Sequence, residues 1–136
     1  DFFKLSPPKS TGRDLFSIDW LEAQLKPEHK PEDVQRTLLD FTAQSIADAV
    51  KRHAPNTEEI YLCGGGAYNT ALFYCLTTLL QASKIALSDE IGIKVEAVEA
   101  AAFAWLARQT LLKAPGNLPD VTGADGLRIL GAVYAG

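Results

Sequence analysis

A predicted strand, a triple glycine and a predicted helix follow one another near the middle of the chain. The apolar run Glu59–Cys63 indicates a strand, Gly64, Gly65 and Gly66 follow it directly, and a helix is expected to start near Asn69. Because glycine has no Cβ atom, a ligand can approach this backbone closely, and the N–H groups at a helix start favour phosphate. The segment lacks the lysine of a P-loop and the spacing of the dinucleotide fingerprint. A tight turn made of glycine for steric reasons therefore stays the alternative.

Helices and strands alternate along the rest of the chain. Hydrophobic periodicity and end signals predict helices over Ile18–Leu25, Pro31–His53 and Val95–Leu112, and a second strand over Lys84–Leu87. This order predicts an α/β layer built from crossover connections. In the second of these helices, the residues at helical spacing are expected to form a broad buried stripe: Val34, Leu38, Leu39, Phe41, Thr42, Ile46 and Ala49.

Composition and charge exclude several classes of protein. The 136 residues suit one compact domain, and 47% apolar with 22% charged residues is typical of a globular protein. A net charge of −4 argues against a nucleic-acid surface. No apolar run reaches the roughly 18 residues of a membrane span, and no signal sequence opens the chain. Cys63 and Cys75 lie in apolar surroundings and lack the spacing of a metal site, so we expect buried, reduced thiols and a cytoplasmic location. The absence of methionine, including an initiator, suggests that the chain is a segment of a longer protein.

Two further groups of residues are candidates for chemistry. Glu99 lies in an alanine-rich helix, where its carboxylate either faces solvent or lines a cleft. The segment that contains Lys9, Ser10, Thr11 and Arg13 combines cations with hydroxyl groups, which suits contact with a phosphate or an acidic sugar substituent. The same hydroxyl groups could equally cap a turn, with Arg13 paired to a nearby carboxylate.

Several separate motifs together resemble the anhydro-N-acetylmuramic acid kinase family. They occur in the order found in that family and extend over nearly the whole chain: Pro8–Arg13, Cys63–Asn69, Glu99–Ala107, Pro115–Pro119, Val121–Ala124 and Leu130–Tyr134. Two positions depart from the family pattern. Tyr68 stands where many relatives have a basic residue, and Lys94–Ala97 stands where many have glycine or proline and an aspartate.

The resemblance implies an actin-like ATPase (ribonuclease H-like) fold, which hexokinase and the heat-shock ATPases share. Residues 1–136 would form the C-terminal, nucleotide-side domain of a two-domain sugar kinase, and the N-terminal domain would lie outside this chain. ATP with Mg²⁺ would be the cofactor, without a metal ligand in this chain. The resemblance assigns a role to each candidate residue: ATP contact for Gly64, Gly65, Gly66 and Asn69, catalysis for Glu99, and contact with the sugar for Lys9, Ser10, Thr11 and Arg13.

The implied reaction opens the 1,6-anhydro ring of anhydro-N-acetylmuramic acid with water and phosphorylates O6, as part of cell-wall recycling. The implied partners are the amino sugar, ATP and the N-terminal domain of the same protein, and a homodimer is compatible with the family. We expect the 136 residues alone to be inactive, because phosphoryl transfer needs both walls of the cleft and a base from the N-terminal domain. The alternatives are a kinase for another carbohydrate and a non-catalytic ATP-binding or interaction remnant.

Overall fold

The computed structural model describes residues 2–134 and divides the chain into two compact units. The terminal unit combines the two ends of the chain, up to residue 28 and from residue 102 onward, and the central unit is His29–Ala101. The single domain over residues 1–136 that the sequence suggests stays a prediction. None of the helices between residues 2 and 134 has both the length and the apolar composition that crossing a bilayer requires.

The observed elements follow the predicted order. The helices and strands are α1 (Ile18–Glu22), α2 (Pro31–His53), β1 (Glu59–Leu62), α3 (Thr70–Leu79), β2 (Lys84–Leu87), α4 (Val98–Leu111) and α5 (Pro119–Thr122). Short 3-10 turns lie at Phe2–Lys4, Gly65–Tyr68, Ser88–Ile91 and Val95–Ala97. β2 and the start of α2 confirm the predicted bounds, and the Oγ atom of Ser17 caps α1 by accepting the Trp20 N–H at 3.1 Å. α1 ends at Glu22, before the predicted Leu25.

A parallel pair of strands is the centre of the central unit. β1 and β2 pair in register from Glu59 with Lys84 to Leu62 with Leu87, and α3 forms the connection between them. This β-α-β arrangement confirms the predicted α/β class. Because the strands are parallel, their carboxyl ends lie at the same edge of the sheet. Cys63 and then the triple glycine follow β1 at that edge, and Ser88 and Asp89 follow β2. Cys63 is exposed and Cys75 is half-buried, so the predicted burial of both thiols is wrong.

The core of the central unit corrects the predicted buried stripe of α2. Ala43 and Ala47 are fully buried against Leu76 and Leu80, whereas several residues of the predicted stripe are exposed: Phe41, Thr42, Ile46 and Ala49. The helix therefore turns a narrow face of small residues toward α3. Alanine at successive turns lets a second helix approach closely. The buried face of α2 is therefore the one that allows close helix packing, and not the one that carries the larger apolar side chains.

Two leucine substitutions on α2 test which face is buried. Alanine and leucine have similar helix propensities, so Ala47→Leu and Ala49→Leu differ mainly in burial. We expect Ala47→Leu to lower the free energy of unfolding by about 1–3 kcal/mol through overpacking. Ala49→Leu should change it by less than about 0.5 kcal/mol. Urea denaturation followed by circular dichroism measures both, and equal effects at the two positions would contradict the observed core.

Candidate functional site

The glycine loop, Gly64–Tyr68, lies at the carboxyl edge of β1. Its first residue has a φ of 72° and a ψ of 179°, and the next four residues form a 3-10 turn. The Gly64 carbonyl accepts the Ala67 N–H at 3.0 Å, and the Gly66 carbonyl accepts the Asn69 N–H at 3.1 Å. The loop is therefore a defined turn whose backbone is fixed at both ends.

The three glycines differ in what requires them. Gly64 has a positive φ, which other residues adopt only with strain. Gly65 and Gly66 have no positive φ, and a Cβ atom added to either would meet no atom within 4 Å. The steric interpretation of the triple glycine thus explains Gly64 alone. Within residues 2–134, neither backbone conformation nor packing explains glycine at the other two positions.

Asn69 caps α3, the helix that follows the loop. Its Oδ1 atom accepts the Leu72 N–H at 3.0 Å, and its carbonyl accepts the Phe73 N–H at 3.0 Å. This confirms the predicted helix start near Asn69, and the 3-10 turn Gly65–Tyr68 lies between Gly64 and the helix. Two amides of the first turn are therefore already bonded to Asn69. Its contact with ATP stays a prediction.

A second segment, Lys94–Ala97, is hydrogen-bonded to the glycine loop. The Val95 carbonyl accepts the Gly64 N–H at 3.0 Å, and the Val95 N–H donates to Oδ2 of Asp89 at 3.1 Å. Val95 is only 1% exposed. The Lys94 ammonium lies 3.5 Å from Oδ1 of the same Asp89 carboxylate. The two turns that follow β1 and β2 are thus linked through one buried residue.

Tyr68 and Glu96, which lie on these two segments, also interact. Hydrogen bonding to Glu96 raises the pKa of the Tyr68 hydroxyl above its usual value. The pKa of Glu96 is lowered, first by a hydrogen bond to its own backbone and then by Tyr68. Tyr68 and Lys94–Ala97, the two places where the sequence is expected to depart from the family pattern, therefore interact.

Glu99 lies in the first turn of α4, three residues after Glu96. Its side chain is exposed, and among residues 2–134 no group forms a hydrogen bond or an ion pair with its carboxylate. Glu96 interacts with Tyr68 and does not pair with Glu99. The position leaves Glu99 accessible to a ligand, and its catalytic role stays a prediction.

The proposed sugar-contacting residues belong to the terminal unit, whereas the glycine loop and Glu99 belong to the central unit. The Lys9 ammonium donates to the Phe2 carbonyl at 3.3 Å and lies 4.9 Å from the centre of the Phe2 ring. Lys9 thus has a structural contact of its own. Ser10, Thr11 and Arg13 are exposed. Their contact with a sugar stays a prediction.

Asp89 and Val95 belong to this site but were not predicted from the sequence to do so. Asp89 follows the second predicted strand, and the carboxyl edge of a parallel sheet is where α/β proteins bind ligands. The position of Asp89 after a predicted strand is the signal from which its place in the site could have been predicted. In the part of the chain that the structure describes, His, Cys, Asp and Glu side chains form no group of three that could hold a metal ion.

Comparison with known proteins identifies the family. The model of the family described as anhydro-N-acetylmuramic acid kinase matches residues 1–136. The chain belongs to the anhydro-N-acetylmuramic acid kinase family. Proteins with that name are 53% identical over 133 residues in Nitrosomonas europaea, 52% over 136 in Ralstonia nicotianae and 47% over 133 in Legionella pneumophila.

The match covers most of this chain but only part of each relative. It covers 98% of this chain and 37%, 36% and 36%, respectively, of these three relatives. The resemblance drawn from the motifs is thereby confirmed. The chain spans little more than a third of the length of the family members that it matches.

Alanine substitutions at adjacent glycines test the conformation of the loop. Gly64→Ala places a Cβ atom on a residue with a φ of 72°, so it should cost about 1–2 kcal/mol of stability. Gly65→Ala fits its space and restricts the unfolded chain, so it should be neutral or raise stability by up to about 1 kcal/mol. Urea denaturation of the two variants compares them directly. A loss at Gly65 as large as that at Gly64 would contradict the observed loop.

Proposed function

We propose that this chain forms the nucleotide-facing part of an ATP-dependent kinase that acts on anhydro-N-acetylmuramic acid. The fold would be that of an actin-like ATPase (ribonuclease H-like) domain, with residues 1–136 as the C-terminal domain of a two-domain enzyme. Membership of the family supports the activity, because the relatives carry the name anhydro-N-acetylmuramic acid kinase. The phosphate loop and the base that activates water would then lie in the other two-thirds of the protein.

The bare backbone of Gly65 and Gly66 is the observation that carries the proposal. A Cβ atom at either position would meet no atom within 4 Å, and neither residue needs glycine for its backbone conformation. Van der Waals contact between a ligand and the loop would explain why both positions are glycine. The loop also lies at the carboxyl edge of parallel strands, where nucleotides bind in α/β proteins.

The proposed reaction uses one water and one ATP. Water adds to C1 and opens the 1,6-anhydro bond, and O6 takes the γ-phosphoryl group, which yields N-acetylmuramic acid 6-phosphate and ADP. In this scheme the glycine loop packs against adenosine, Asn69 contacts the nucleotide, and the Glu99 carboxylate lines the active cleft. Lys9, Ser10, Thr11 and Arg13 would contact the sugar. Such a kinase would serve cell-wall recycling in the cytoplasm.

Magnesium accompanies ATP in most phosphoryl transfers. The resemblance to the family implies no metal ligand in this chain, and we derive no step from the ion.

A size series at Gly65 tests the nucleotide contact in the full-length kinase. Because the loop has space for a side chain, Gly65→Ala and Gly65→Val should fold with nearly unchanged melting temperatures. A valine side chain would occupy the space proposed for adenosine, so we expect the Kd for ATP to rise roughly tenfold, as for a loss of about 1.4 kcal/mol. Alanine should have a smaller effect. Titration calorimetry measures these affinities, and a folded Gly65→Val variant with parental ATP affinity would refute the contact.

Replacement of Glu99 by glutamine tests its place in the active cleft. The change keeps side-chain volume and removes charge, and we expect kcat of the full-length enzyme to fall roughly tenfold or more. Glu58→Gln is a matched control, because Glu58 is also exposed and precedes β1 at the opposite edge of the sheet. Its kcat should stay within about twofold of the parent. Unchanged turnover in Glu99→Gln would make Glu99 an ordinary solvated helix residue.

A further inference from the structure

Val95 links two turns of the central unit through its two backbone groups. Its N–H donates to the Asp89 carboxylate, and its carbonyl accepts the Gly64 N–H, at 3.1 and 3.0 Å. Val95 begins the 3-10 turn Val95–Ala97, whose defined φ and ψ angles couple the direction of its N–H to the direction of its carbonyl. The residue is 1% exposed, so no solvent can replace a lost partner of its N–H without rearrangement.

Asp89 is itself held in place by the 3-10 turn Ser88–Ile91, of which it is the second residue. Its carbonyl accepts the Gly92 N–H at 3.0 Å, and the neighbouring Ser88 carbonyl accepts the Ile93 N–H at 3.2 Å. The turn starts directly after β2, whose register with β1 is fixed by four residue pairs. A continuous path therefore runs from the sheet through Asp89 and Val95 to the first residue of the glycine loop.

We propose that Asp89 is a positioning residue that holds the glycine loop in its nucleotide-binding conformation through Val95. The inference rests on the proposed function of the loop as the ATP contact. Gly64, whose φ is positive, is the residue of the loop that Val95 holds, because its N–H has the Val95 carbonyl as partner.

Variants of Asp89 in the full-length kinase separate the hydrogen bond from the charge. Asp89→Ala leaves the buried Val95 N–H without an acceptor. Asp89→Asn keeps an acceptor oxygen and removes the negative charge, and Lys94→Ala removes the cation that lies near it. Glu90→Ala is the control, because Glu90 is adjacent to Asp89 and bonds only to Lys84, at 2.6 Å, among the partners found for it.

Hydrogen exchange of the backbone reports the position of the loop, and steady-state kinetics report its use. In Asp89→Ala we expect faster exchange over residues 64–68 and a KM for ATP raised roughly tenfold, as for a buried donor left unsatisfied. The KM for the sugar should stay within about twofold. Asp89→Asn, Lys94→Ala and Glu90→Ala should stay close to the parent in both measurements.

The outcomes distinguish this inference from the function on which it rests. Unchanged exchange over residues 64–68 in Asp89→Ala would overturn the positioning role and leave the ATP contact of the loop intact. Faster exchange with an unchanged KM for ATP would overturn the ATP contact and, with it, the inference. A loss in Asp89→Asn equal to that in Asp89→Ala would also overturn it, because charge would then matter more than the acceptor. If Asp89→Ala does not fold, Asp89→Glu, which displaces the carboxylate and keeps its charge, carries the same test.

Discussion

The two hydrogen bonds of the Val95 backbone, from the Gly64 N–H and to the Asp89 carboxylate, join the turns on which the candidate site depends. Parallel pairing of β1 and β2 brings the glycine loop and the turn Ser88–Ile91 to one edge of the sheet, and Val95 links one to the other. The packing of α2 against α3 supports the sheet from one side through small and medium side chains. The glycine loop is therefore positioned by the sheet and the core and presents bare backbone outward.

Local signals in the sequence were enough to predict the bounds of elements that have a clear start or end residue. Pro31 begins α2 and the apolar run Lys84–Leu87 forms β2 as predicted, because a proline at a helix start and an isolated apolar run each favour one conformation. The buried face of α2 was predicted wrongly. Apolar residues occur on more than one side of this helix, and the sequence does not reveal that a second helix packs on Ala43 and Ala47.

Only part of the candidate site could be predicted from the sequence, for a related reason. The glycine loop is continuous and has a recognisable pattern, so it could be found. The contribution of Asp89 depends on Val95, which bonds to a residue 31 positions earlier in the chain. Contacts of that kind follow from strand pairing and leave no local pattern. The same holds for Tyr68 and Glu96, which the sequence marks as separate departures from the family and the structure brings together.

Family membership and the open backbone of the loop together make ATP contact at Gly64–Tyr68 the central claim. Hydrogen–deuterium exchange of the full-length protein with and without ATP tests it most directly, because it reads the backbone amides of the loop themselves. We expect slower exchange over residues 63–69 when ATP is bound, with no change over residues 43–50 in the core of α2. Exchange over residues 63–69 that is the same with and without saturating ATP would contradict it.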